Sequence, residues 1–170
     1  MKNLLVIALF YFMLVLVIDC NGTDLTKRVQ ITNGVSVLMP PNFIKNELNG
    51  YVLFQSEIGS TDLRVIVVKD MSLPTKNAEM LKKGMEINVV NFLKPLNGKL
   101  LHRKDTIIDN LARSDFDFEI VNPENTKYGV GRFIVKGNNF ISFLFETLKT
   151  DIKTNKVIRE SFFKSIQIVK

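Results

Sequence analysis

The chain has 170 residues, a length typical of a single domain. Its hydrophobic fraction of 46% and charged fraction of 24% provide enough apolar surface for a folded core, which excludes a disordered or low-complexity polymer. A net charge of +6 accompanies one Cys and one His, which excludes a disulfide scaffold and a metal site built from several soft ligands. We therefore expect no metal and no cofactor.

The N-terminus has the layout of an export signal. Lys2 supplies a positive charge, and residues 4–18 form an unbroken apolar run that ends at Asp19. As a helix this run would extend about 22 Å, less than the roughly 30 Å hydrocarbon core of a bilayer. The pattern favours a signal peptide over residues 1–19 rather than an uncleaved anchor, and it predicts an exported protein of the cell envelope.

Cys20 is the candidate lipidation site. The segment Val17–Cys20 resembles the lipobox of bacterial lipoproteins, in which the Cys becomes the acylated N-terminus. Asp19 departs from the lipobox pattern, which has a small residue at that position. The alternative is cleavage after Gly22, which would remove the thiol. The first outcome predicts a periplasmic or outer-membrane lipoprotein attached to the membrane by its signal or lipid anchor, and the second predicts a secreted protein.

The first part of the domain has the pattern of a strand meander. Residues 20–32 are a polar lead-in, and a single domain is predicted over residues 33–170. Val35, Val37 and Met39 alternate with Ser36 and Leu38 before Pro40 and Pro41, which lack a backbone donor and end a strand. Two further strands are predicted, around Val52–Phe54 and over Leu63–Val68, the second of them central because it is apolar on both faces.

The hydrophobic period changes after Asn77. Apolar residues then recur every three or four positions and place one stripe on a helix that Pro95 ends. Gly84 lies mid-helix at a cost of about 1 kcal/mol relative to Ala, and we attribute it to close packing on the sheet. The stripe, which we interpret as core, consists of Ala78, Leu81, Met85, Val89 and Phe92.

Strand patterns return after residue 98. The first covers Leu100–Ile108, and in the second, Asp115–Ile120, phenylalanines alternate with carboxylates. We interpret these carboxylates as a solvated outer face, because the loop spacing of a calcium site is missing. Two alternating runs, Tyr128–Lys136 and Phe140–Leu148, predict a hairpin in the middle of the sheet. A helix over Lys153–Lys164 and a terminal strand over Ser165–Val169 complete the prediction.

Two proline and aromatic patterns carry a resemblance to a known fold. The first strand ends in Pro41, closely followed by Phe43, and the late hairpin precedes a helix with the pair Phe162 and Phe163 and a strand beginning at Ser165. This order of elements is similar to the fold shared by PsbP, the extrinsic protein of photosystem II, by a yeast nuclear import factor that binds the GTPase Ran, and by DcrB-like bacterial lipoproteins. The resemblance implies an α+β fold with a single antiparallel sheet flanked by helices, an α-β-α sandwich.

The resemblance spans roughly residues 33–169 and concerns packing more than chemistry. It implies a non-catalytic accessory protein of the cell envelope that binds another envelope protein. The alternative is a carrier of a small ligand or lipid, with its pocket between the sheet and the helix over residues 77–94. The basic residues are scattered rather than clustered, so no nucleic-acid partner is expected, and the oligomeric state is left open.

The sequence lacks a recognisable set of catalytic groups. His102 is the sole imidazole and lies in a predicted strand beside two cationic residues, and the G-x-S-x-G motif of serine hydrolases is missing. Gly129 and Gly131 fall within a strand rather than at a helix start, so they are not a phosphate loop. We therefore predict no enzymatic activity, with a hydrolase that uses His102 and Asp115 as the least favoured hypothesis.

Three residues are candidates for an interaction surface. Arg113, Tyr128 and Arg132 are long polar or aromatic side chains on strands that are otherwise largely apolar. Arginine and tyrosine are enriched at the energetic centres of protein interfaces. We expect these three side chains to contact the partner protein, against the alternative that they are ordinary surface positions.

Overall fold

The computed structural model describes residues 25–71, 77–108 and 111–169. The predicted signal peptide and Cys20 lie outside the described residues. Within the described ranges, no helix is both long enough and apolar enough to cross a membrane.

The described residues form ten strands and two helices, and every strand pairing is antiparallel. Short 3₁₀ turns cover Lys94–Leu96 and Lys149–Asp151. In chain order the elements are β1 (Lys27–Thr32), β2 (Val35–Met39), β3 (Ile44–Leu48), β4 (Tyr51–Ile58), β5 (Thr61–Val68), α1 (Ala78–Leu93), β6 (Gly98–Ile108), β7 (Leu111–Val121), β8 (Thr126–Lys136), β9 (Asn139–Leu148), α2 (Lys156–Lys164) and β10 (Gln167–Ile168).

The larger sheet has seven strands in the order β3-β4-β5-β9-β8-β7-β6. The predicted late hairpin is β8–β9, and β9 is the central strand, so its predicted position in the middle of the sheet is confirmed. Strands β3 and β6 form the two edges. The hydrogen-bonded neighbours β6, β7 and β8 are each eleven residues long and extend one side of the sheet.

The prediction of a single sheet is wrong, because a second sheet is formed by β1, β2 and β10 in the order β1-β2-β10. The chain turns at Pro40, whose carbonyl accepts a hydrogen bond from the Phe43 amide, and it then enters the larger sheet at β3. Strand β2 therefore pairs with β1 and with the C-terminal β10 instead of continuing a meander. Strand β1 occupies residues 27–32, within the segment predicted as a polar lead-in.

One core lies between the two sheets. Val35, Val37 and Met39 of β2 are fully buried there, and α2 inserts Phe162, also fully buried, beside them. The ring centroid of Phe162 lies 6.3 Å from that of Phe143 on the central strand. The small sheet and α2 together form the layer on this side of the larger sheet.

A second core lies on the opposite side, under α1. The buried helix positions are Leu81, Met85, Val89 and Leu93. The first three confirm the predicted stripe, whereas Ala78, predicted at its start, is exposed. The half-buried ring of Phe92 lies edge-on to three sheet phenylalanines at centroid distances of 5.4–6.0 Å. Those three phenylalanines are Phe116, Phe118 and Phe133.

Two glycines of β8 make room for phenylalanine rings of β7. Phe116 is paired with Gly131 and Phe118 with Gly129 across the two strands. A Cβ atom at Gly131 would lie 2.2 Å from Cζ of Phe116, and one at Gly129 would lie 2.2 Å from Cζ of Phe118. Each ring therefore lies over a glycine, and the role of Gly129 and Gly131 is to leave space for these rings.

The prediction that Gly84 packs closely against the sheet is wrong. A Cβ atom at this position of α1 would have no neighbouring atom within 4 Å. The buried stripe lies on another side of the helix, centred on Met85 and Val89. Gly84 therefore weakens the helix without a packing contact that compensates for the weakening.

Candidate interaction surface

The small sheet and α2 cover one side of the larger sheet only in part, and the surface next to α2 stays uncovered. Side chains alternate along β7, so its phenylalanines face α1 while its charged residues face the side on which α2 lies. We use the name charged face for the side chains of β7 and β8 on that side, together with the residues of α2 that contact them. Its members are Arg113, Asp115, Asp117, Glu119, Tyr128, Arg132, Arg159 and Phe163.

Asp115 is the centre of the charged face. Nε of Arg113 lies 2.5 Å from Oδ2 of Asp115, and Nε of Arg132 lies 2.6 Å from Oδ1 of the same carboxylate. Arg132 is directly opposite Asp115 in the β7–β8 pairing, whereas Arg113 precedes Asp115 by two positions on the same strand. One carboxylate therefore orients two guanidinium groups, and the trio keeps one net positive charge.

Arg132 also connects the sheet to α2. Its Nη1 donates a hydrogen bond of 3.2 Å to the carbonyl oxygen of Phe163, and its guanidinium carbon lies 5.4 Å from the centroid of the Phe163 ring. Burial, together with the nearby charge of Arg113, lowers the pKa of Arg132, although Asp115 acts in the opposite direction. A guanidinium pKa is so high that Arg132 stays charged at neutral pH. Arg132 is thus held rigidly, while Arg113, 38% exposed, is accessible.

Tyr128 lies further along β8, opposite Glu119. Its hydroxyl is 3.5 Å from Nη1 of Arg159 on α2. Burial, followed by the negative charge of Asp117, raises the pKa of the Tyr128 phenol, while Arg159 opposes the rise. The phenol is therefore neutral at physiological pH and can donate or accept a hydrogen bond.

The charged face continues toward the edge strand β6 and toward the turn after β9. Lys104 and His102 of β6 are paired with Asp115 and Asp117 respectively, so their side chains lie on the same side of the sheet. At the other end, Nζ of Lys149 lies 2.8 Å from Oε1 of Glu119. Positive and negative groups thus alternate across three strands.

The structure brings the three predicted interaction residues, Arg113, Tyr128 and Arg132, to one face. Arg159 and Phe163 of α2, which touch Tyr128 and Arg132, were not among the predicted residues. Asp115 was predicted to lie on a solvated face, whereas this carboxylate is 29% exposed and bound by two arginines. The alternation of side chains along β7 could have indicated that Arg113 and Asp115 share a face. The contribution of α2 to this face depends on tertiary packing.

A second polar cluster lies on the α1 side of the sheet. Nη2 of Arg64 on β5 lies 2.9 Å from Oδ2 of Asp62 and 2.6 Å from Oε1 of Glu146 on β9. Glu146 is 3% exposed, so this cluster offers little surface to a partner. In the described part of the chain, no group of three or more His, Cys, Asp or Glu side chains is placed to hold a metal ion.

No protein-family model matches the sequence, and no curated protein matches it. Among solved structures, the cyanobacterial PsbP protein CyanoP from Synechocystis sp. PCC 6803 is similar, with a TM-score of 0.64 and 17% identity over 90% of this chain and 99% of CyanoP. The chain has a PsbP-like fold.

Other structures are similar at lower identity. LpqN of Mycobacterium tuberculosis, a protein involved in cell envelope biogenesis, has a TM-score of 0.50 and 8% identity over 85% of this chain and 90% of LpqN. The Ran-binding protein Mog1p of Saccharomyces cerevisiae has a TM-score of 0.47 and 12% identity over 85% of this chain and 95% of Mog1p. At these identities the similarity concerns the fold and does not identify the residues of a functional site.

Proposed function

We propose that this protein is a non-catalytic accessory module of the cell envelope that binds another envelope protein through the charged face. The observation that carries the proposal is the Arg113–Asp115–Arg132 arrangement, which lies on a part of the larger sheet that the small sheet and α2 leave uncovered. Oriented guanidinium groups lose less side-chain entropy on binding than free ones, because each arginine is already held by a carboxylate. The export signal predicted from the sequence and the PsbP-like fold support an envelope setting.

The chemistry of the charged face suits a partner with charges of both signs. Arg113 is the most accessible member of the central trio and would pair with a partner carboxylate. Asp117 lies on the adjacent part of the same strand and would pair with a partner cation, whereas Glu119 is already paired with Lys149. Alternating charges of this kind select a partner by electrostatic complementarity more than by buried apolar area.

The carrier alternative places a ligand between α1 and the sheet. Phenylalanine rings occupy the part of that space around Phe92, whose centroid lies within 6.0 Å of three other ring centroids. This close packing favours an interaction module over a carrier. Native mass spectrometry of protein purified from cells would support the carrier instead if a bound lipid or small ligand were retained.

A site-specific crosslink tests the proposed function. A photoreactive side chain at Lys104, which is opposite Asp115 on β6, should give one discrete crosslinked product in membrane extract. The additional substitution Arg113→Glu should abolish that product, because it reverses the accessible charge of the central trio. Lys45→Glu, on the opposite edge strand β3, is the matched control and should leave the product unchanged. Absence of a product, or a product that persists in Arg113→Glu, contradicts the proposal.

A further inference from the structure

The outward surface of α1 carries apolar side chains that the fold leaves exposed. Met80 is 53% exposed, Ile87 50% and Val90 52%. Together with Lys83, and with Lys94 in the 3₁₀ turn that directly follows α1, both of which are also exposed, they occupy an arc of about 80° on the side away from the core. We call these five residues the outer stripe.

The composition of the outer stripe distinguishes between two kinds of partner. Lysine is depleted in the cores of protein–protein interfaces, where its ammonium group would lose its hydration. At the surface of a bilayer, lysine instead lays its aliphatic stem along apolar groups and keeps its ammonium group at the level of the lipid phosphates. A stripe in which Lys83 and Lys94 alternate with Met80, Ile87 and Val90 therefore fits a lipid surface.

The apolar and basic character continues onto the neighbouring edge strand. Strand β6 packs beside α1, and its first residue, Gly98, is followed by Lys99, Leu100 and Leu101, of which the two leucines are 38% and 44% exposed. Glu86, an exposed carboxylate on the flank of α1 nearest β6, lies 3.7 Å from Nη2 of Arg103 and is partly neutralised by it. The surface around the outer stripe thus combines exposed apolar groups with the lysines Lys83, Lys94 and Lys99, and it also carries two exposed carboxylates, Glu79 and Glu86.

We propose that α1, through its outer stripe, docks on the surface of an anionic bilayer. The charge complementarity between Lys83 and Lys94 and lipid phosphates supplies the attraction, and insertion of Met80, Ile87 and Val90 at the level of the headgroups supplies the apolar contribution. The charged face lies on the opposite side of the seven-stranded sheet from α1. Docking by α1 therefore leaves the charged face directed away from the lipid and accessible to a protein.

A unique tryptophan provides the test, because the sequence contains no Trp. Ile87→Trp in the full chain is mixed with vesicles of phosphatidylcholine alone or of phosphatidylcholine with phosphatidylglycerol. The expected result is a blue shift of emission, and quenching by lipids with brominated acyl chains, on the vesicles that contain phosphatidylglycerol. Val157→Trp, at a 73% exposed position of α2 on the other side of the sheet, is the matched control and should show neither change. Any anchoring by the N-terminal segment is common to both variants.

Charge removal tests the electrostatic part of the proposal. Adding Lys83→Gln and Lys94→Gln to Ile87→Trp should reduce the equilibrium constant for contact of the stripe with the bilayer about thirtyfold, because two surface lysines are lost. Unchanged emission of Ile87→Trp with anionic vesicles overturns the proposal. An equal shift with neutral vesicles overturns the anionic preference, and a shift that depends on protein concentration without vesicles assigns the stripe to self-association. None of these results alters the crosslinking test of the charged face, so the two proposals fail independently.

Discussion

Gly129 and Gly131 are the residues on which the packing of β7 against β8 depends most directly. A methyl group at Gly131 would overlap the ring of Phe116, which is 1% exposed and cannot move into solvent. We therefore expect Gly131→Ala to lower the free energy of unfolding by about 1–3 kcal/mol, the usual cost of overpacking a core. Urea denaturation followed by circular dichroism measures the change.

Gly84→Ala is the matched control for the Gly131 variant. The added methyl group has open space around it, and alanine favours a helix over glycine by about 1 kcal/mol. Gly84→Ala should therefore raise the free energy of unfolding, whereas Gly131→Ala lowers it. Equal effects of the two substitutions would mean that general helix and strand propensities, and not the Phe116 ring, decide the outcome.

Asp105 makes stability depend on acid pH. Burial alone would raise the pKa of this carboxyl, but hydrogen bonds from Arg103 and Ser114 outweigh burial and lower the pKa below its ordinary value of about 3.9. Because the folded-state pKa is the lower one, the stabilisation is complete above the ordinary value and is lost as pH falls through the folded-state pKa. The melting temperature of the parent protein should therefore fall more steeply below about pH 4 than that of Asp105→Asn.

Glu124→Gln is the control for the acid prediction, because Glu124 is exposed in the turn between β7 and β8. This variant should follow the parent protein through the acid range. Parallel curves for the parent protein and Asp105→Asn would show that the Arg103 and Ser114 contacts do not shift the titration of Asp105.

The sequence predicts the residues of the charged face unevenly. The alternation of Phe116 and Phe118 with carboxylates correctly indicates that Asp115 and Asp117 share a face with Arg113. The pairing of Arg132 with Asp115 depends on the register of β7 against β8, and the contact of Phe163 with Arg132 depends on where α2 packs. Neither the register nor the packing is a local property of the chain.

At the level of secondary structure elements, β5 and β9 are joined by buried charges. Arg64 lies between the carboxylates of Asp62 and Glu146, which are directly opposite each other in the pairing of the two strands. Arg64→Met would leave these carboxylates facing each other without the arginine. We expect a loss of about 3–5 kcal/mol in the free energy of unfolding, measured by chemical denaturation.

The double variant Arg64→Met/Glu146→Gln separates charge from packing in this cluster. Removal of the Glu146 charge should restore part of the stability that Arg64→Met loses, because one buried carboxylate then no longer faces another. If the double variant lost as much free energy of unfolding as the two single variants together, the loss would reflect packing of the Arg64 side chain instead.

The long strands and α1 are predicted well because their apolar periods are extended. The stripe from Leu81 to Val89 and the alternation of β8 and β9 each continue over several turns or pairs. Strands β1 and β3 are short and rich in charged or amide side chains, as in Lys45–Glu47, so their composition resembles that of a loop. Helix α2 begins at Lys156, after a 3₁₀ turn over Lys149–Asp151, slightly later than predicted.

At the scale of the whole molecule, both cores depend on the same sheet. Neighbouring residues of β9 serve different cores, since Phe143 packs under the small sheet and Leu144 on the α1 side, and both are fully buried. Loss of either covering layer would expose one side of this strand. We therefore predict a single cooperative unfolding transition, with equal calorimetric and van't Hoff enthalpies in scanning calorimetry. Two resolved heat-absorption peaks would contradict this prediction.

The division into two sheets is a property of the whole chain that local patterns do not reveal. Strand β2 is bounded by Val35 and Met39 as the alternation predicts, but its partner β10 lies at the other end of the sequence. Such a pairing is decided by burial of β2 against Phe162 and the larger sheet, after distant segments have met. The sequence therefore predicts the α+β class and the two helices of the described residues more reliably than it predicts how strands are shared between sheets.

The two rings that lie over glycines also control how β7 can align with β8 during folding. A slip of one position would turn Asp115 and Asp117 into the apolar layer and expose Phe116 and Phe118 to water. A slip of two positions in either direction would leave one ring facing a side chain, Phe133 or Lys127, in place of a glycine. Misaligned hairpins are thus penalised in every direction, and the native alignment is selected before a partner or a lipid is present.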